Sequence, residues 1–169
     1  MKFVFILGIP LHIQQYLKFI FNYSKTDRSI AINRTNDIGR LFCSLCEKTS
    51  HNNFNNKGTS FKIPVSEYLR PDRSFYNITQ DKTKLFVDYC LAEFHLKQRQ
   101  FIGDARNMGV KIDAAAWLFL EAYKIQPSAL SPDAIVKSEQ RARRKNIGII
   151  SDALRNLTVK RLTKICRTY

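Results

Sequence analysis

IDAAAWLFLEAYKIQPSALSPDAIVKSEQRARRKN, residues 112–146, reads as two helices joined by a short turn, the second ending in fixed positive charge. Ala115, Leu118, Phe119, Ala122 and Tyr123 fall at the three-and-four spacing that gathers apolar side chains on one face. Asp113 is placed to cap the first helix, and Pro127 forbids its continuation. Ser131-Pro132-Asp133 is a strong helix start. The serine oxygen can accept from an orphan backbone N–H, proline at the first position loses no bond, and aspartate suits the positive helix end. Ala134, Ile135 and Ser138 are expected to face the first helix, while Lys137, Arg141, Arg143, Arg144 and Lys145 carry the charge. Trp117, beside three alanines that allow close packing, is expected in the core.

Charge extends this contrast to the whole chain. In 169 residues, 28 Lys and Arg oppose 14 Asp and Glu, a net charge of +14. From Lys137 to Tyr169 only Glu139 and Asp152 oppose the basic residues, whereas 78–123 is close to balanced. Such an imbalance points to a polyanionic partner, a nucleic acid or an anionic surface. The length favours one core with a loosely attached end, and the hydrophobic content of 44% is enough to build it. The expected division is 1–78 as a mixed α/β part, 79–146 as a helical nucleic-acid-binding unit, and 147–169 as a basic helix or tail.

Along the chain, Phe3 to Ile9 reads as a buried strand and Leu11 to Tyr23 as a helix beginning after Pro10. Pro10, His12, Gln14, Gln15 and Lys18 interrupt any membrane span, so no transmembrane segment is expected. A short β-like stretch surrounds Ile30. A helix from Asp37 to Lys48 is capped by Thr35 or Asn36 and buries Ile38, Leu41, Phe42 and Leu45. The asparagine-rich 51–60 is a loop. Phe61 to Val65 alternates like a strand that Pro64 demotes to an edge. The longest helix starts at Thr79 or Asp81 and runs to Asn107, with Leu85, Phe86, Tyr89, Ala92, Glu93, Leu96, Phe101, Ile102 and Ala105 as its stripe. Gly103 weakens it, and Gly109 ends it in a left-handed conformation. The fold class is therefore mainly α with a minor β element (α+β), and the C-terminal unit is helical.

Cys43-Ser-Leu-Cys46 has the spacing of half a zinc site, for which His51 would be a third ligand. Both cysteines lie inside an apolar helical pattern, where a thiol behaves as a small hydrophobe, so no metal and no cofactor is expected. Four cysteines without a ladder spacing fit a reducing cytoplasm. None of His12, His51 and His95 neighbours a nucleophile or acid in a catalytic motif, and no Gly-rich phosphate loop occurs, so a non-enzymatic protein is expected.

The helix dipole accounts for one or two cations at a helix C-terminus, but four basic residues in five positions repel one another. Arginine predominates, which suits bidentate contacts to phosphate or guanine. The run SPDAIVKSEQRARRKN resembles the third helix of homeodomain-like helix-turn-helix proteins. That resemblance implies duplex DNA binding and regulation of transcription, with Lys137, Gln140, Arg141 and Arg144 toward the DNA and Gln140 reading a base. Arg143, Lys145, Arg155, Lys160 and Arg161 complete the expected nucleic-acid-binding set. DNA is favoured over RNA. The second reading is a structural or assembly protein, in the style of phages and mobile elements, which binds packaged nucleic acid or an acidic partner. A homo-oligomer or larger assembly is compatible with either.

Overall fold

The computed structural model describes residues 2–49, 58–63 and 75–145. The chain forms β1 (Lys2–Ile6), α1 (Leu11–Ile20), β2 (Asn22–Ser24), β3 (Ser29–Ala31), α2 (Asp37–Leu45) and β4 (Glu47–Thr49). Then follow β5 (Thr59–Ile63), β6 (Phe75–Asn77), α3 (Gln80–Asn107), α4 (Ile112–Ala122) and, at the end of the described residues, α5 over 132–145. The architecture is mainly α with a minor β element, an α+β fold.

Four strands make one sheet in the order β1-β5-β3-β2, and β4 pairs with β6 in a second. β5 lies inside the sheet, antiparallel to β1 and parallel to β3. The expectation of an edge strand there is wrong. Pro64 itself lies outside the described residues, and the strand before it is paired on both sides. Val4 and Ile30 flank Phe61 in register, and all three are buried. This alternation carries one apolar row across the sheet.

α3 is the spine, packed against α1, α2 and α4. Its buried residues are Phe86, Cys90, Phe94, Gln98, Ile102 and Ala105, four or three apart along one stripe. That stripe is rotated from the expected one: Leu85, Ala92 and Leu96 are exposed. Counting apolar residues misplaces the stripe because its fourth member is a glutamine. Phe42, Phe61 and Phe86 form an aromatic triangle with centroids 5.0 to 5.9 Å apart, which joins α2, the sheet and α3. Farther along α3, Phe94 meets Phe119 of α4 at 5.5 Å and Tyr16 of α1 at 5.3 Å. The contiguous core runs from Val4 to Ile135.

The helix ends follow local chemistry. Asn36 caps α2, its side chain accepting from the Gly39 N–H at 2.8 Å. α2 stops at Leu45 rather than Lys48, because β4 begins at Glu47 and pairs with β6. α1 likewise stops at Ile20, and Asn22–Ser24 becomes the edge strand β2. α3 continues unbroken through Gly103 and ends at a Schellman turn. There Gly109 has φ +84°, its N–H bonds the Arg106 carbonyl at 2.9 Å, and the Val110 N–H bonds that of Ala105 at 3.0 Å.

Candidate nucleic-acid interface

α4 and α5 form where the sequence places them, with a connection over 123–131. The buried side of α4 is Ala115, Ala116, Phe119 and Leu120. Leu118 and Ala122 are exposed, and Trp117 is 55% exposed, so the core assignment of these three is corrected. At 100° per residue Trp117 falls far from the centre of the buried face. The two alanines occupy that face, where they let α4 approach α3. Asp113 is not the cap of α4. Lys111 holds that position without a side-chain bond, and Asp113 lies in the first turn.

α4 ends in a second Schellman turn, with Lys124 at φ +54° and the Ile125 N–H bonded to the Leu120 carbonyl at 2.8 Å. The connection is tied to α1 by the Gln126 N–H, which donates to Gln15 Oε1 at 2.8 Å. Ser131 starts α5, its Oγ accepting from the Ala134 N–H at 3.2 Å.

α5 turns Ile135 and Glu139 inward and leaves Lys137, Gln140, Arg141, Arg143, Arg144 and Lys145 exposed. Ala134 is also exposed, contrary to expectation, because Ile135 alone of that pair points into the core. Lys137, Gln140, Arg141 and Arg144 fall within about 100° of arc, opposite the buried side. α5 carries two carboxylates: Asp133, exposed in its first turn, and Glu139, which is 7% exposed. Glu139 Oε1 accepts from Gln98 Nε2 at 3.2 Å. Glu139 thus anchors the helix to α3, and Asp133 alone sets a negative charge on the exposed side.

Gln140 and Arg143 also border a groove of about 520 Å³ beside the α3–α4 turn, whose far wall includes Arg106, Gly109, Lys111 and Asp113. The groove opens at the first turn of α4, where backbone N–H groups lack helical partners. Three cations face one carboxylate there. Sequence reasoning missed Arg106 and Lys111. The Gly109 signal reveals the sharp turn between them, but only the packing of α5 on α3 brings Arg143 to the same place.

Arg155, Lys160, Arg161 and His51 lie outside the described residues. Cys43 and Cys46 are free thiols at the end of α2, and burial pushes Cys46 up to about 12, with Cys43 adding to the effect. Burial does the same to Cys90, also to about 12, with Glu93 contributing. A thiol held protonated is a poor nucleophile. Among the described residues, no three His, Cys, Asp or Glu side chains converge on one point, and no helix is long and apolar enough to cross a membrane. Compared with protein-family models, with characterised proteins and with solved structures, the chain matches none.

Proposed function

We propose that this protein binds nucleic acid, double-stranded DNA foremost, as a cytoplasmic regulatory or accessory factor that presents α5 to the major groove. The observation that carries this reading is the one-sided charge of α5. Five cations and Gln140 point outward against a single exposed carboxylate, Asp133 in the first turn, while Glu139 is buried against Gln98. A helix held by one face and cationic on the other has the shape and charge to enter a groove about 12 Å wide.

Lys137, Arg141 and Arg144 would meet phosphates or guanine edges, and Gln140 has the paired donor and acceptor that match adenine. The groove at Arg106, Lys111 and Arg143 would seat a flanking phosphate and fix the register of α5. The test compares duplex DNA, single strands and RNA of one sequence set, with wild-type protein and Arg141→Ala/Arg144→Ala. Tight binding to duplex that the double substitution weakens supports the reading. Preference for RNA or single strands contradicts it.

A further inference from the structure

A second recess lies far from α5 in sequence, where α1 faces one end of the four-stranded sheet. It encloses about 300 Å³, the lower end of the range for small-molecule sites. Two cations, Lys18 of α1 and Arg28 of the β2–β3 turn, line it together with Gln14, Tyr23, Thr59 and Ser60. Among the described residues, no carboxylate lines it. Asp27, the acid next to Arg28, is engaged elsewhere by Lys62 at 2.9 Å. Among the described residues, no acidic side chain therefore compensates the charge in the recess.

Three features show that the recess is built rather than left over. Arg28 holds φ +49°, a left-handed conformation that glycine occupies freely and that costs a side-chain-bearing residue free energy. A turn that could have used glycine carries a guanidinium at the mouth of a polar recess. Lys18 is held in place by Tyr23, its Nζ 4.6 Å from the ring centroid. At the rim, Gly58 has φ +128°, and any Cβ there would lie 2.5 Å from the Ile6 carbonyl oxygen. Backbone alone can form that wall.

We propose that this recess binds a phosphate monoester, with Lys18 and Arg28 holding the phosphoryl oxygens and Thr59 and Ser60 supplying hydroxyl donors. A phosphoryl group carries the multiple charge and spread acceptors that two cations and hydroxyls satisfy together. The ester is either a free nucleotide-sized molecule or the phosphorylated end of a strand, and both present the same group.

The test is calorimetric titration of the full chain in dilute buffer with inorganic phosphate, AMP, and a short oligonucleotide with or without a 5′ phosphate. Saturable binding of AMP tighter than phosphate assigns a free nucleotide, and a gain from the 5′ phosphate assigns a strand end. Equal binding of phosphate and AMP assigns the phosphoryl group alone. Lys18→Gln and Arg28→Gly are each expected to weaken binding about tenfold or more, the scale of one hydrogen bond to a charged group. Arg28→Gly suits its backbone and is expected to melt at or above the wild-type temperature. Lys18→Gln is expected to leave binding of unphosphorylated duplex within about twofold, which separates this site from α5. No saturation by any probe up to about 10 mM overturns the proposal, as does binding by both variants as tight as that of the wild type.

Discussion

Gln98 of α3 and Glu139 of α5 meet in a buried contact, with Gln98 Nε2 donating to Glu139 Oε1 at 3.2 Å across 41 residues of sequence. Each is the polar member of an otherwise apolar stripe, Gln98 between Phe94 and Ile102 and Glu139 one turn after Ile135. The pair fixes which side of α5 faces solvent, and so links the packing of the helix to its charge.

Removing one partner is expected to cost more than removing both. Gln98→Leu leaves a buried carboxylate without its donor and is expected to destabilise the fold by about 1–3 kcal/mol. Gln98→Leu combined with Glu139→Leu is expected to recover most of that loss. Denaturant midpoints of the two single variants and the double variant measure the coupling.

The exposed and groove-lining arginines are expected to fail differently. Arg141→Ala and Arg144→Ala should weaken duplex binding by about 1–3 kcal/mol and relax sequence preference if they touch bases. Arg143→Ala, in the groove beside the α3–α4 turn, should weaken all duplexes alike and reduce the salt slope by about 1. Binding isotherms on a preferred and a scrambled duplex separate the two behaviours.

On α4, Trp117→Ala is expected to change stability by no more than about 0.5 kcal/mol, whereas Phe119→Ala should cost about 3–5 kcal/mol. At its end, Lys124→Gly relieves a left-handed lysine and is expected to stabilise by about 1 kcal/mol. Thermal and chemical unfolding read all three.

Stability is also expected to depend on His12, whose pKa lies below the ordinary 6.5 because burial disfavours its charged form and His95 repels it. The unfolded chain then takes up the proton first. Stability from this group is full above pH about 6.5, falls as the pH drops below that value, and levels off once folded His12 is itself protonated. His12→Gln is expected to flatten the melting temperature between about pH 7 and about pH 5.

Much of this arrangement is legible in local chemistry. The Ser131 cap, the Gly109 stop and the outward set of cations on α5 depend on neighbours within a few residues, and the sequence reading identifies each. The interior position of β5, the rotated stripe of α3 and the exposure of Trp117 depend on partners distant in sequence. A pattern that scores hydrophobicity passes over Gln98, and it assigns a lone tryptophan to the core although two alanines fill that face. Arg106 and Lys111 join Arg143 only through tertiary packing, which no spacing rule encodes.

The most direct measurement is the affinity of the full chain for a labelled duplex as salt is raised from about 50 to about 300 mM. Log affinity is expected to fall linearly with log salt, with a slope near −0.9 for each phosphate neutralised, and Lys137→Ala, Arg141→Ala and Arg144→Ala together should flatten it. An affinity indifferent to salt, or no binding to duplex in dilute buffer, would contradict a role for α5 in meeting phosphates.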